Sequence, residues 1–576
     1  MTRGVTLRSN FPAESMRGLT RRAEWKALGI PATDLEKPKI AIVNSSNDLA
    51  ACYAHLDEIV PVLKEELRRL GALPFEIRTT VPSDFVTSVG KAGRYILPTR
   101  DLMVQDIEVV VEGAQLDAII CLSSCDKTTP AHIMAGARLN IPTVIIPCGY
   151  QHSGLADHGG PDIEDVFLHS SFHAYSAEHT QEEIEDMADH AILGPGVCSG
   201  LATANSMHVA AEALGMTVPG AAPVRALSER MWDTVRRSAK AIVEAIERDI
   251  RPRDVITVDS VTNAVKTMLS LGASINSIKH LQAIAVEAGL DLDVWELYRV
   301  LGRQVPLLAS VRPNGPARIE EFEDAGGAAT TLRELLPILN GSALTVTGQT
   351  VAERAELAAD GDGAIIKSID APFATTPSIV VLKGSLATEG AVAKRPIPDE
   401  GPYLFRGPAR IFHSREEGIA ALADGRVREG DVIVLRGVGL VGGPGMGFVS
   451  ALIFAIESAG LAGKVAMVTD GQFSGLANTG IIIGEVSPEA ATGGAIGLLE
   501  DGDEIVIDLA NGTLDVLVDP EVLAARPAFT PTDQVEVRGY LDVYRSTVQS
   551  LACGAVLCGG DSMCAPRRAI TEGASR

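Results

Sequence analysis

Hydrophobic and polar positions along the chain fall into two textures. In the first, short apolar runs at 39–43, 76–81, 118–121 and 143–146 alternate with stretches at 53–70, 97–111 and 130–139. The short runs read as buried strands, and the longer stretches, with apolar residues at helical spacing, read as helices. Pro130 sits where a first helical turn accepts it. Strand, helix and strand in succession predict a parallel sheet flanked by helices. Residues 15–29 read as a helical arm packed on the body or on another subunit, and 201–214 and most of 231–302 read as helical. Near residue 372 the texture changes to short strands at 378–382, 409–412, 431–435 and 465–469. The pair 504–509 and 513–518, joined by Ala510-Asn511-Gly512, carries a hairpin signal. The chain therefore divides into an α/β domain, 1–372, and a β-rich domain, 373–576.

Composition narrows the function. A formal net charge of -24 over 576 residues excludes a phosphate-binding surface of concentrated Lys and Arg, so nucleic acid is not an expected partner. An anionic small substrate then needs a local positive site. No apolar run reaches the roughly 20 residues of a membrane span, and the first residues lack the apolar core of a secretory signal, so a cytoplasmic protein is expected. Eight cysteines in a chain this long do not form a disulfide framework and stay available as metal ligands.

Three of those cysteines stand in comparable places. Cys52, Cys125 and Cys198 each precede a predicted helix and follow a strand or a glycine turn. Loops after the carboxyl ends of strands are where ligands bind in such folds, because helix amino termini converge there. The three are either separate buried cysteines or the ligands of an iron–sulfur cluster, their thiolates favoured by positive helix ends. Three ligands in place of four leave one iron open as a Lewis acid. Asp126 and Lys127 follow Cys125 directly. Histidines gather after residue 149 (His152, His158, His169, His173, His179, His190), which suggests a lid or subunit contact more than a metal cluster. Cys553, Cys558 and Cys564 read as reactive thiols of a surface tail.

The words around these residues resemble the dihydroxy-acid and sugar-acid dehydratase family over nearly the whole chain. They are Ala51-Cys-Tyr-Ala-His-Leu56, Cys125-Asp-Lys-Thr-Thr-Pro130, Cys198-Ser-Gly-Leu-Ala-Thr-Ala-Asn-Ser-Met207, Phe322-Glu-Asp-Ala-Gly-Gly327, Gly442-Gly-Pro-Gly-Met446 and Asp470-Gly-Gln-Phe-Ser-Gly475. The resemblance implies an α/β amino-terminal domain, a β-barrel-like carboxy-terminal domain, an active site between them and a homodimer or homotetramer. It implies dehydration of a 2,3-dihydroxy acid to a 2-keto acid. It makes Cys52, Cys125 and Cys198 the ligands of a [2Fe-2S] cluster, with [4Fe-4S] as the alternative, and Ser474 the base.

The same resemblance implies a magnesium ion on Asp126, Lys127 and two glutamates, and both glutamates are replaced here, by Lys91 and Phe448. Gln472 stands where the family has arginine, and Leu476 follows the serine. Either Lys91 supplies the positive charge and acts in catalysis with Lys127 and Ser474, or the chain is a silent paralogue with a binding or sensing role.

Overall fold

The structure, a computed structural model, describes residues 6–81, 83–88, 93–154, 160–173, 179–376, 378–395, 403–474, 480–531 and 538–557. Its first sheet grows from the fully buried run Lys39–Asn44, β1, whose Ile and Val side chains suit a strand covered on both faces. β2 is Leu73–Arg78, β3 is Ala118–Ser123 and β4 is Thr143–Pro147; all pair in parallel in the order β2-β1-β3-β4. β2 begins three residues before the predicted 76–81 because the sheet register places Leu73 opposite Lys39 and Arg78 opposite Asn44. Residues 79–81 instead leave the sheet toward Asp84.

The loops that matter leave the carboxyl ends of these strands. Cys52 lies in the short helix Ala51–Ala54 after β1, and Cys125 lies between β3 and the helix Thr128–Leu139. Tyr150, just past β4, bridges to Val197 and so draws Cys198 to the same edge, ahead of the helix Thr203–Ala213.

The second unit is a closed eight-stranded barrel. Its strands are β5 (Ile379–Gly384), β6 (Ala387–Lys394), β7 (Leu404–Phe412), β8 (Val432–Leu435), β9 (Ala466–Thr469), β10 (Ile481–Ser487), β11 (Glu504–Asp508) and β12 (Thr513–Val516). They close in the order β10-β6-β5-β12-β11-β7-β8-β9. Closure leaves no open edge, and the barrel carries its own core of residues such as Leu382, Val434, Ile483 and Ile507. The predicted hairpin is present, with Asp508 opposite Thr513.

Two contacts lock the units together. Lys279, on the helix Asn276–Glu287, meets Glu485 of β10, and neither side chain has any exposure. Lys279 also donates to Asn276 Oδ1. The second contact is made by residues 551–557. Buried Arg100 donates to the carbonyls of Gly554 and Ala555, both at 2.8 Å, and Trp295 Nε1 donates to that of Leu551 at 3.0 Å. This segment corrects the expectation of a surface tail, because Cys553 is buried and disulfide-bonded. Cys558 and Cys564 lie outside the described residues. Among the described residues no helix is long and apolar enough to cross a membrane.

Removing one member of a buried ion pair strands the other charge, at a cost of about 3–5 kcal/mol. Glu485→Gln is therefore expected to lower the stability of the folded chain by that order in urea denaturation, and Glu485→Gln with Lys279→Met to recover most of it. A loss below about 0.5 kcal/mol, the range of ordinary surface changes, would show that the pair does not clamp the units.

Candidate active site

Between the sheet's carboxyl edge and the barrel lies a cavity of about 230 Å³. The first unit lines it with Asp84, Cys125, Asp126, Glu164, Cys198 and Asn276, and the barrel side with Lys394, Arg415, Phe448, Ser450 and Ser474. Four phenyl rings, Phe85, Phe167, Phe448 and Phe454, form its apolar wall. Phe167 stands edge-on to Phe85 at 5.6 Å and to Phe454 at 5.7 Å.

The thiols of Cys52 and Cys125 are in hydrogen-bond contact, and Cys198 is close enough for their charges to interact. The contact from Cys125 holds the Cys52 thiol below its ordinary pKa. Cys125 is pushed well above its own, first by that same contact, then by burial and by the charges of Cys52, Asp126 and Asp84. Burial pushes Cys198 up, and Glu164 and Asp126 add to it. Of the three, only Cys52 therefore lies on the side that a positive helix end would favour.

Asp126 and Lys127 are joined by a residue the sequence reading passed over, Asp84. Lys127, 2% exposed, holds its ammonium 3.4 Å from Asp126 and 3.6 Å from Asp84. The two carboxyls share a hydrogen bond, and burial and the Asp126 charge push Asp84 well above the carboxylate range. Burial acts on Asp126 in the same direction, but Lys127 and hydrogen bonds from Asp84, Lys127 and Thr203 outweigh it and hold Asp126 low. Asp84 carried a signal, a lone acid in the loop beyond β2 that precedes a short helical turn. Lys91, and Leu476 beyond the serine, lie outside the described residues.

Ser474 ends a loop that is held from behind. Asp470 accepts the backbone N–H groups of Gly437, Val438 and Ala490, each at 3.0 Å. Gln472 donates to the carbonyl of Met446 at 3.0 Å and so ties the serine loop to the glycine loop that carries Phe448. Ser450 Oγ accepts the N–H of Ser474 at 3.0 Å. Gly445, at φ +91°, lies on the carbonyl of Arg94, where any Cβ would clash, so the glycine loop can close on the first unit.

Glu164 and Lys394 were also missed, and neither sits in a motif. Glu164 opens the helix Ile163–His173, where Asp162 accepts its N–H at 2.8 Å and Arg312 pairs with Asp162 and Asp165. Burial pushes Glu164 up to about 8. Burial likewise pushes Lys394, the last residue of β6, down to about 7, with Glu164 opposing. Of the gathered histidines, His152 is exposed and His169 meets His179 edge-on at 4.2 Å, while His158 lies outside the described residues.

By donor chemistry the three thiols fit an iron–sulfur cluster. Among the described residues no three His, Cys, Asp or Glu side chains form a site for one metal ion, but a cluster spreads its ligands over several atoms. Two buried carboxyls in hydrogen-bond contact fit a divalent cation by donor chemistry, although Phe448 supplies a ring where the resemblance implies a carboxylate.

The chain matches the dihydroxy-acid/6-phosphogluconate dehydratase N-terminal domain over residues 37–354 and the corresponding C-terminal domain over residues 364–555. It is 37% identical to the dihydroxy-acid dehydratase of Ignicoccus hospitalis over 539 residues, 93% of this chain and 97% of that one. It is 37% identical to that of Methanothrix thermoacetophila and 36% to that of Aquifex aeolicus, each over 96% of this chain and 100% of the relative.

Lys127→Met should leave two buried carboxyls without a counter-ion and cost about 3–5 kcal/mol, with Asp84→Asn in the same chain recovering part of it. Chemical denaturation of the three variants measures both effects; equal stability of Lys127→Met and the parent would remove the ammonium from this role.

Proposed function

The chain belongs to the dihydroxy-acid/6-phosphogluconate dehydratase family, and from that premise we propose that it dehydrates a 2,3-dihydroxy acid with an apolar tail to a 2-keto acid, using an iron–sulfur cluster. The observation that carries this reading is one cavity walled by Cys125, Cys198 and Ser474, with Cys52 touching Cys125 behind it.

Cys52, Cys125 and Cys198 would hold the cluster, which when bound would supply Lewis-acid chemistry toward the departing 3-hydroxyl. Asp84 and Asp126 would hold a divalent cation if Lys127 gives up its charge. Ser474 takes the proton from C2. A serine hydroxyl is too weak an acid to do so unaided, and Lys394 and Arg415, which line the same cavity, supply positive charge that favours its ionised form. The phenyl wall excludes water and accepts an alkyl substituent. A polyhydroxylated sugar acid would leave its hydroxyls unpaired against those rings, which favours the branched-acid substrate over the sugar acid.

Protein purified without oxygen should contain iron and sulfide and absorb visible light. It should convert branched dihydroxy acids to 2-keto acids faster than aldonates. Ser474→Ala should lower kcat by about 10²–10⁴-fold with the cluster spectrum unchanged, as loss of a positioned base does, and Cys125→Ser should remove spectrum and turnover together. Iron and sulfide both absent, or turnover undiminished in Cys125→Ser, would sink the cluster mechanism. Cluster present with no turnover of either acid class would favour the silent-paralogue reading, which Phe448 motivates.

A further inference from the structure

Among the described residues, the cations around the cavity include Lys127, Lys279 and Arg415, and each of these is already engaged. Lys127 faces Asp84 and Asp126. Lys279 is taken by Glu485 and Asn276. Arg415, 36% exposed, pairs with Glu416 at 2.6 Å. Lys394 differs. It is 3% exposed, and among the described residues its hydrogen bonding amounts to a long contact of 3.4 Å to the carbonyl of Ala273, although an ammonium carries three donors.

Glu164 is its counterpart. It is 2% exposed, its Oε1 is buried with no hydrogen-bond partner among the described residues, and it lies so close over Gly200 that a Cβ there would come within 2.5 Å of that oxygen. Asp162 and Arg312 fix the helix start that carries it, so it cannot swing away to solvent. Lys394 and Glu164 line one cavity, close enough for Glu164 to act on Lys394 electrostatically, yet no direct ion pair joins the two. A buried carboxyl and a buried amine with unused hydrogen-bonding capacity are costly unless something bridges them. A bridging group must accept from the ammonium and donate to the carboxylate.

We propose that Lys394 and Glu164 form the receptor for a 2-hydroxy carboxylate, Lys394 holding the carboxylate and Glu164 accepting the hydrogen bond of the adjacent hydroxyl. This rests on the reaction proposed above only for the identity of the ligand. It assigns substrate recognition to a barrel lysine, in place of a metal ion alone, and it sets the acid head opposite the phenyl wall that takes the tail. The lysine is then a specificity-determining residue contributed by the second unit.

The test is calorimetric, on the full-length, anaerobically purified protein. The probes are 2-hydroxy-3-methylbutanoate, which has no 3-hydroxyl to lose, and 3-methylbutanoate, which lacks the 2-hydroxyl as well. The parent should bind the hydroxy acid more tightly than the plain acid. Lys394→Met should weaken both by about 10–100-fold, the size of a lost charged hydrogen bond. Glu164→Gln should shrink the advantage of the hydroxy acid while leaving the plain acid bound at least as well. Lys394→Gln serves as a second variant, and circular dichroism and urea midpoints confirm folding.

Binding in Lys394→Met within twofold of the parent overturns the receptor, as do equal losses for both acids in Glu164→Gln or no binding by the parent. The same variants in steady state separate the two ideas. Parental turnover with an unchanged KM in Lys394→Met sinks the receptor and leaves the dehydratase reading standing. Binding lost in the variants, in a parent that turns over no dihydroxy acid, keeps the receptor and sinks that reading.

Discussion

A chain of buried polar contacts runs from the barrel to the centre of the cavity, and the geometry of the site depends on it. Glu485 holds Lys279, Lys279 holds Asn276 Oδ1, Asn276 Nδ2 donates to Thr203 at 3.0 Å, and Thr203 is bonded to Asp126. Burial alone drives Lys279 toward its neutral form, and Glu485 opposes that. Such a pair adds little to stability against an apolar alternative, but it admits one relative placement of the two units. Displacing the barrel would expose an unpaired charge and loosen Asn276 and Thr203 together.

The placement divides the chemistry. Thiols and paired carboxyls come from loops at the sheet's carboxyl edge, while the serine and two cations come from the barrel side. Neither half carries both a candidate electrophile site and a candidate base. The barrel loops are drawn in by buried acids that serve as anchors: Asp470 under the serine loop, and Glu489 accepting Val441 and Gly442 N–H groups under the glycine loop.

Much of this was legible along the chain because it is local. Strand runs, helix starts and the Asn-Gly hairpin follow from periodicity and turn chemistry within a few residues, and each of the three cysteines announces itself by preceding a helix. The start of β2 was misplaced because register against β1, a partner some 34 residues earlier as Leu73 is to Lys39, decides it. Asp84, Glu164 and Lys394 stood in unremarkable stretches. Their roles come from contacts that cross the fold, such as the helix bearing Glu164 meeting Arg312, and no spacing rule encodes those. Cys553 was read from its near neighbours alone and turned out to be packed under Arg100's segment.

The return of residues 551–557 to Arg100 and Trp295 has a consequence for biosynthesis. Those two side chains belong to the first unit, and their bonding partners are carbonyls made some 450 and 250 residues later, since the separations are 454 and 256 positions. A growing chain emerges from the ribosome at about 5–20 residues per second, with its first unit exposed well before the last segment arrives. During that interval the Arg100 guanidinium lacks two of its acceptors and the cavity lacks its barrel wall. The cavity is therefore fully enclosed only once the whole chain has been made.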